Sequence, residues 1–514
     1  MIPPLRGTIY VTDKNDNLIP VAYSYYVYDL YFYPPKAKNF DIELEKIAQI
    51  LGKNKEDLLE KIKNRNQAVI LEKNLDEKTK NRISQLRFDS VFFEEKVIRK
   101  YPFNDFLSTV LGFAVYNEEQ KITKGLYGLE KYYDEYLRGE TGILSKFGTY
   151  KPPRKGYDLI LNIDYYLQTK LEKILENALE NYKAEGGLII VINAKTGKIL
   201  GVAEKPSFNL NEYNKVKDPN LYISRISLTY EPGSVMKPFF YASAFEENLV
   251  SPTSTYFDAG YVTLNNKTIY NFDKKGRGEV DLKTALEQSL NTGSVYISQI
   301  LGKTRFINTL HKFRFTSQPD IDFPLLGVNN FKNLYPPQGR EVNFGTASFG
   351  QGIAVSPLSL LNGFQVFANE GKITNLRFVS KIITPDNSSI NNESKIIVNN
   401  VLSLRTINIM KEILEGVVEN QAKKAKVLGY RIGGKTGSAE IPEKTGYSDE
   451  VITTFIGFLP VSNPQFLVLV RLDKPNKGLL SFGTAVPTFK QVADFLINYY
   501  NIEPDKIEEF TKKY

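Results

Sequence analysis

The sequence predicts an α+β fold in two domains, residues 1–155 and residues 156–514. In the first domain, strand-like segments and charged helix-like segments follow one another without a regular order, which predicts an irregular, partly extended module. In the second domain, apolar runs near the beginning have counterparts near the end, with mainly helical segments between them. A sheet built from both ends of this domain, with helices inserted in the middle, satisfies the order.

The first domain is assigned element by element from its patterns. Strand-like segments lie at residues 8–11 and 22–33, and helix-like segments lie at residues 42–51 and 55–63. Residues 139–156 are rich in glycine and lysine and contain two consecutive prolines, which is typical of a connection between domains. The boundary is therefore placed at the end of this stretch.

The second domain begins with a predicted strand at residues 158–163. Apolar residues then recur at helical spacing from Leu167 to Tyr182, which predicts one amphipathic helix. The four apolar runs that predict the strands of the sheet lie at residues 188–192, 199–203, 453–459 and 466–470.

The composition excludes several kinds of active site. With 514 residues and 42% hydrophobic content, the chain can bury large cores. It has no cysteine, which excludes thiol nucleophiles, thiolate metal sites and disulfides. Its single histidine, His311, lies in a helix-like segment and is assigned a structural or solvent-facing role. A histidine-dependent triad and a multi-histidine metal site are therefore not expected.

The charge and hydropathy of the chain limit the classes of partner that we expect. The net charge of +8 comes from 66 Lys and Arg against 58 Asp and Glu, interspersed along the chain. This balance fits a solvated surface that can favour anionic lipid headgroups or an acidic polymer, and no concentrated basic stripe indicates a nucleic-acid partner. No run of about eighteen apolar residues predicts a membrane span or signal peptide. The chain opens directly into a strand-like segment, as expected after removal of an anchor helix; a natural start without an anchor is the alternative.

Three short motifs follow one another along the chain: Ser234-Val235-Met236-Lys237, Ser289-Leu290-Asn291 and Lys435-Thr436-Gly437. The first motif, Ser-x-x-Lys, occurs once, whereas Ser-x-Asn and Lys-Thr-Gly each recur. The copy at residues 195–197 is predicted to be a hairpin turn, and the copies at 389–391 and 444–446 lie in polar stretches predicted to be surface loops. The copy at 207–209 precedes Ser234 and therefore breaks the order.

The first motif carries the chemistry of a serine nucleophile. A serine three residues before a lysine on a helix places both side chains on one face, where the amine can take the hydroxyl proton. We therefore predict Ser234 as the nucleophile at a helix amino end and Lys237 as its general base. The helix dipole and a second lysine nearby disfavour protonated Lys237. For an isolated motif, a serine cap followed by a surface lysine would be the alternative.

The second motif supplies groups for proton transfer and binding. Ser289 can relay a proton between Lys237 and a leaving amine, and the amide of Asn291 can hold a substrate carbonyl. A polar turn between helices is the alternative for this motif alone. Gly293 is expected to let the chain turn sharply after it.

The third motif predicts a strand that borders the substrate. Lys435 supplies positive charge, Thr436 a hydroxyl, and Gly437 the absence of a side chain where a substrate backbone must lie. The backbone amides of Ser234 and Ser438 are candidates for an oxyanion hole. A glycine-rich turn is the alternative for this motif alone.

In this order, the motifs resemble the active-site set of the class B penicillin-binding proteins, which are monofunctional peptidoglycan transpeptidases. Flanking segments support the resemblance, including residues 349–358 in the version typical of division-type members. The other similar segments are residues 187–203, 205–209 and 230–233 in the second domain, and residues 5–7 and 125–130 in the first.

The resemblance implies an antiparallel sheet flanked by helices, preceded by a pedestal domain of the dimerisation type. It implies a stem peptide ending in D-Ala-D-Ala, whose penultimate carbonyl Ser234 attacks with release of D-Ala before acyl transfer to a neighbouring amine. Lys435, Thr436 and Ser438 are then expected to hold the donor carboxylate. No metal or organic cofactor is implied.

The resemblance also implies partners and a location. The partners are peptidoglycan stem peptides, the lipid-linked precursor, β-lactams, a membrane glycosyltransferase, and divisome or elongasome proteins. The location is the extracytoplasmic face of the bacterial membrane, held by an N-terminal helix absent from this chain. The resemblance favours a role in division, and a role in elongation and cell shape is the alternative.

Some residues depart from the family pattern. Ser438 replaces the usual threonine but keeps a hydroxyl, residues 12–17 replace a more compact turn, and Phe313-Arg314-Phe315 lacks the usual glycines. A β-lactamase and a D,D-carboxypeptidase share the motifs and are the enzymatic alternatives, although the large first domain argues against a β-lactamase. A β-lactam sensor or an inactive wall-synthesis scaffold is the non-enzymatic alternative.

Overall fold

A computed structural model describes residues 1–63, 65–144, 150–443 and 446–506. Strands and helices follow one another in runs of one kind, and the α+β class is confirmed. Part of the predicted domain connection, residues 145–149, lies outside the described residues. The same holds for Lys444 and Thr445 of the last Lys-Thr-Gly copy.

Residues 1–155 contain strands that range from 2 to 15 residues and helices of at most 12 residues. The strands are β1 (Ile9–Thr12), β2 (Leu18–Phe32), β3 (Val69–Leu75), β4 (Val91–Lys100), β5 (Ala114–Asn117), β6 (Ile122–Gly125), β7 (Ile143–Leu144) and β8 (Tyr150–Lys151). The helices are α1 (Phe40–Leu51), α2 (Lys55–Ile62), α3 (Glu77–Ser84), α4 (Ser108–Leu111), α5 (Gly128–Tyr132) and α6 (Asp134–Leu137). The strands and helices predicted between residues 8 and 63 are confirmed.

The rest of the chain has longer helices. Its strands are β9 (Asp158–Asp164), β10 (Gly186–Asn193), β11 (Ile199–Lys205), β12 (Thr255–Asp258), β13 (Tyr261–Leu264), β14 (Lys267–Tyr270), β15 (Gly278–Asp281), β16 (Ile373–Thr374), β17 (Val379–Ile383), β18 (Ser389–Asn391), β19 (Ile396–Val398), β20 (Gly433–Glu443), β21 (Gly446–Leu459) and β22 (Phe466–Asp473). Its helices are α7 (Tyr165–Tyr182), α8 (Lys237–Glu246), α9 (Leu282–Glu287), α10 (Asn291–Lys312), α11 (Glu341–Ala347), α12 (Pro357–Ala368), α13 (Leu404–Asn420) and α14 (Ala485–Tyr500).

Five of the described strands form the predicted sheet from both ends of the second domain. Their order is β11-β10-β22-β21-β20, and every neighbouring pair is antiparallel. Side chains of β10 alternate between two cores: Ile189 and Val191 pack in the core with α7 and α14, while Leu188 and Ile190 pack in the core with α8 and α12. Because both faces are covered, these strands are continuous apolar runs, which is why the sequence revealed them.

A second sheet joins residues from both sides of the predicted domain boundary. Its described strands run in the order β18-β17-β9-β1-β2-β3, with β4 also paired to β2. The link is the parallel pairing of β1 with β9, in which Ile9 lies opposite Leu159. The boundary at residue 155 stays a prediction, and the sheet crosses it.

A buried ion-pair network ties together the first-domain segments that the sequence singled out. Arg6 Nε lies 2.6 Å from Glu130 Oε2, and Arg6 Nη1 lies 2.7 Å from Asp134 Oδ1. Arg99 Nε contacts the other Glu130 oxygen at 2.7 Å. Because Glu130 is fully buried, these two cations compensate a charge that would otherwise be costly to bury.

Two loop predictions are corrected by the structure. Residues 389–391 form strand β18 with exposed side chains, so they lie on the surface but are not a loop. Residues 442–450 mostly continue the β20–β21 hairpin. The hairpin turn at residues 195–197 is confirmed between β10 and β11. None of the described helices is both long enough and apolar enough to cross a membrane.

Candidate active site

Ser234 lies where a loop turns into a helix, as predicted. Residues Gly233–Met236 form one turn of 3-10 helix that continues directly into α8. Gly233 has a φ of 65°, a conformation that favours glycine. Ser234 is partly exposed, whereas Lys237 at the start of α8 is fully buried. The turn therefore presents the serine to solvent above a lysine that is shielded from it.

Among the described residues, the hydrogen-bond acceptors of Lys237 are all uncharged oxygen atoms. Its Nζ lies 2.6 Å from Ser289 O, 2.9 Å from Asn291 Oδ1 and 3.3 Å from Ser289 Oγ. In the described part of the chain, no carboxylate forms an ion pair with it. Burial, and then the charge of Lys435, lower the pKa of Lys237 well below its usual value. The sequence predicted this direction, but the larger cause, burial, comes from the fold.

Lys435 also contacts the Ser289 hydroxyl. Its Nζ donates to Ser289 Oγ at 2.8 Å and lies 3.2 Å from Thr436 O and 3.3 Å from Thr436 Oγ1. Burial lowers the pKa of Lys435 to about 7. The hydroxyl of Ser289 therefore lies between two buried amines.

Ser289 adopts a backbone conformation that is unusual for a residue with a Cβ. It lies between α9 and α10 with a φ of 58°, which costs about 1–2 kcal/mol for an L-residue other than glycine. The predicted turn at Gly293 is wrong, because Gly293 lies inside α10. Its missing side chain serves packing instead: a Cβ there would come within 2.7 Å of the Tyr241 hydroxyl.

Strand β20 forms one wall of the site. Gly437 was expected to leave room for a substrate backbone, but a Cβ at Gly437 would lie 2.8 Å from Pro232 O and 3.1 Å from Val235 Cγ1. The glycine therefore lets β20 pack against the turn that carries Ser234. One residue further, Ser438 Oγ donates to Ser481 Oγ at 3.1 Å and accepts from Ser481 N at 3.1 Å.

The predicted residues border one cleft with a volume of about 780 Å³. Five of the eight line it directly: Ser234, Ser289, Asn291, Thr436 and Ser438. Lys237 and Lys435 lie beneath it and reach it through Ser289, and Gly437 fixes its wall. In the described residues, no group of three or more Asp, Glu or His side chains is placed to hold a metal ion.

Sequence reasoning missed much of the cleft lining. Tyr270 and Phe272 are exposed aromatic residues on one rim, Arg277 lies beside them, and Phe349 and Phe482 line other parts of the cleft. Arg277 forms a two-point ion pair with Asp273, at 2.9 and 2.8 Å. Apart from Phe349, which begins the family-like segment 349–358, these residues come from segments without a motif, so only the fold brings them to the site.

Comparisons with known proteins agree over most of the chain. A family model described as the penicillin binding protein transpeptidase domain matches residues 187–494, and one described as the penicillin-binding protein dimerisation domain matches residues 1–146. The chain is 32% identical to stage V sporulation protein D of Bacillus subtilis over 454 residues, covering 84% of this chain and 68% of the relative.

Other relatives cover almost all of the chain. It is 26% identical over 532 residues to the probable peptidoglycan D,D-transpeptidase PenA of Neisseria meningitidis serogroup B, covering 98% of this chain and 86% of the relative. The crystal structure of penicillin binding protein 2X from Streptococcus thermophilus superposes with a TM-score of 0.85 at 21% identity, covering 98% of this chain and 81% of that one. This structural likeness shows the fold.

Proposed function

Because the chain belongs to the class B penicillin-binding proteins, we propose that it is a peptidoglycan D,D-transpeptidase in which Ser234 is the nucleophile. One observation supports the residue assignment above all. The amines of Lys237 on α8 and Lys435 on β20 both lie within hydrogen-bond distance of the Ser289 hydroxyl, which the α9–α10 connection contributes. Three motifs far apart in sequence thus form one proton-transfer network at the floor of the cleft.

In the first step, Ser234 Oγ attacks the penultimate D-Ala carbonyl and its proton passes to Lys237 Nζ. A neutral lysine amine has two N–H donors and one lone pair. The oxygens of Ser289 O and Asn291 Oδ1 accept the two N–H groups at 2.6 and 2.9 Å. The lone pair is then free for the Ser234 hydroxyl, and burial together with the charge of Lys435 favours this neutral amine over the ammonium ion.

The leaving D-Ala needs a proton on its nitrogen as its bond to the carbonyl carbon breaks. Lys237 returns the proton through the Ser289 hydroxyl, which lies 3.3 Å from its Nζ. The backbone N–H groups of Ser234 and Ser438 stabilise the oxyanion. Asn291 donates one amide N–H to Tyr270 O, at 2.9 Å, and its second N–H can hold a substrate carbonyl.

Lys435, Thr436 and Ser438 bind the terminal carboxylate of the donor. A carboxylate near Lys435 raises the pKa of a buried lysine, so the donor itself keeps Lys435 protonated. When D-Ala leaves, the carboxylate leaves with it. An amine of a neighbouring stem then attacks the acyl ester, forms the cross-link and restores the Ser234 hydroxyl.

The same serine accounts for covalent acylation by β-lactams. The role we propose is wall synthesis at division rather than elongation, on the extracytoplasmic face of the membrane. The partners proposed with it are the lipid-linked precursor, a membrane glycosyltransferase, and proteins of the division or elongation machinery. The family match supports the peptidoglycan substrate and β-lactam binding, and the finer partners are part of the proposal.

The transferase reaction is tested with an acylated D-Ala-D-Ala stem peptide and an added amine acceptor. We expect release of D-Ala together with a product that contains the acceptor, because the acyl-enzyme partitions toward an amine. The product fraction is measured by mass spectrometry as the acceptor concentration rises. Release of D-Ala with hydrolysis alone at every acceptor concentration would instead identify a D,D-carboxypeptidase.

A further inference from the structure

Glu231 lies three residues before Ser234 and is not used by the mechanism above. Its Oε1 accepts a hydrogen bond from Gly352 N at 3.1 Å and from the Tyr447 hydroxyl at 3.4 Å. Its Oε2 is buried and has no hydrogen-bond partner among the described residues. Glu231 is therefore a half-buried carboxyl near the nucleophile in the chain. One of its oxygens accepts two hydrogen bonds, and the other accepts none from the described residues.

The hydrogen bond from Gly352 N to Glu231 connects the residues before Ser234 to residues 350–355. Backbone hydrogen bonds flank Glu231 on both sides: Gly233 N donates to Gly350 O at 3.2 Å, and Tyr230 and Val355 exchange two bonds at 3.2 and 2.9 Å. The Glu231 carboxyl completes this connection through Gly352. Residue 351, between the bonded positions, lines the cleft.

The hydrogen bond from the Tyr447 hydroxyl to Glu231 connects the residues before Ser234 to the β20–β21 hairpin. Tyr447 is the second residue of β21 and pairs with Pro442 near the tip of the hairpin. The hairpin also contains the cleft wall, because Thr436 and Ser438 lie on β20. A bond from Tyr447 to Glu231 therefore holds the distal part of this wall toward the loop that carries the nucleophile.

The ionisation of Glu231 lies within the physiological range. Burial raises the pKa of Glu231 to about 7 and the charge of Glu440 on β20 acts in the same direction, while the bonds from Gly352 and Tyr447 oppose it. Burial and the charge of Glu231 raise the pKa of Tyr447, so its hydroxyl keeps its proton and donates. Residues 350–355 contain no ionisable side chain.

We propose that Glu231 is a positioning residue for acylation, whose carboxylate holds residues 350–355 and the β20–β21 hairpin against the loop that presents Ser234. Hydrogen bonds to a carboxylate are roughly twice as strong as those to a neutral group. Protonation weakens both bonds, and a proton on Oε2 finds no acceptor. This inference rests on the proposed function of Ser234.

The test compares Glu231→Gln with the unchanged protein. The second-order rate constant for acylation by a labelled penicillin is measured from about pH 5.5 to about pH 8.5. Because glutamine is neutral at every pH, it imitates protonated Glu231. We expect equal rates at the acidic end and a rate ratio that rises with pH through about 7 to about tenfold. The ratio cancels the titrations of Lys237 and Lys435, which both proteins share.

Two further variants should shift the pH at the midpoint of the rise in the acylation-rate ratio, and the two shifts should have opposite directions. Tyr447→Phe removes a bond that lowers the pKa of Glu231, so the midpoint moves to higher pH. Glu440→Gln removes a charge that raises this pKa, so the midpoint moves to lower pH. Glu172→Gln and Tyr25→Phe are matched controls far from the cleft, a carboxyl with a raised pKa and a half-exposed tyrosine, and should keep the original profile.

A pH-independent ratio for Glu231→Gln would overturn the inference, because it would indicate a purely structural role. Midpoints that stay fixed in both Tyr447→Phe and Glu440→Gln would overturn it as well. If the unchanged protein took no label at all, the proposed function itself would fail and this inference with it. Circular dichroism at each pH confirms that the compared variants are folded.

Discussion

The Ser289 hydroxyl lies 3.3 Å from Lys237 Nζ and 2.8 Å from Lys435 Nζ, which makes it the shared contact of two buried amines. Two positive charges so close together in a buried site repel each other, and burial together with the charge of Lys435 lowers the pKa of Lys237 well below its usual value. In the proposed function, Lys237 transfers the proton and Lys435 binds the anion, although both side chains have the same chemistry in solution.

Ser289→Ala and Ser289→Gly separate the hydroxyl from the backbone strain. Both variants should lower the acylation rate by about 100-fold, because both lose the proton relay. The glycine variant should be more stable than the alanine variant by about 1 kcal/mol, because glycine has no strain in the left-handed conformation. Only part of this gain is lost to the greater conformational entropy of glycine in the unfolded chain. Labelling kinetics and denaturant unfolding measure the two effects. A near-normal rate in both variants would remove Ser289 from proton transfer.

At this scale the sequence predicts which side chains react but not the backbone conformations that hold them. The order of the three motifs selected Ser234, Ser289 and Lys435, whose chemistry depends on residue type. The turn expected at Gly293 was wrong because the chain is already helical there, and the glycine instead leaves room for the Tyr241 hydroxyl. Glu231 lies in the family-like segment 230–233, but the sequence predicted no role for it, because its proposed role depends on contacts with residues more than 100 positions away.

Among the elements, β20 is the one whose placement decides the shape of the site. It packs against the turn of Ser234 through Gly437, and its hydroxyl side chains line the cleft. A strand that must approach another backbone closely needs a glycine at the contact. The geometry between nucleophile and cleft wall therefore depends on a residue that need not touch the substrate.

Gly437→Ala should move β20 away from the Ser234 turn. The new Cβ would lie 2.8 Å from Pro232 O, a backbone atom that cannot rotate away. Because misplacement by about 1 Å can cost about 100-fold in rate, we expect the acylation rate to fall at least about tenfold. Gly483→Ala is the matched control, since its Cβ would meet no atom within 4 Å. Equal rates for the two variants would contradict the packing role of Gly437.

Elements were predictable where burial leaves a pattern. The strands β10, β11, β21 and β22 were found because their buried segments are continuous apolar runs. The outer part of the β20–β21 hairpin and strand β18 were taken for loops, because their exposed residues are polar and show no alternation. The helix α7 was found from its spacing of apolar residues, which faces one core.

On the scale of the whole molecule, the two regions matched by separate family models share a sheet. Strand β9 pairs with β1 on one side and with β17 on the other, and the Tyr133 hydroxyl of the first region donates to Asp322 Oδ2 of the second at 2.8 Å. The sequence predicted two domains but could not predict this sheet, because pairing between distant strands leaves no local signal.

The most direct measurement is to react the purified chain with a labelled penicillin, map the adduct by mass spectrometry and follow its lifetime. We predict a single long-lived adduct on Ser234 and none in Ser234→Ala, which should fold normally because a small change in an open cleft removes no core volume. Equal labelling of Ser234→Ala, or an adduct on another residue, would contradict the assignment of the nucleophile. Rapid loss of the label with turnover would instead identify a β-lactamase.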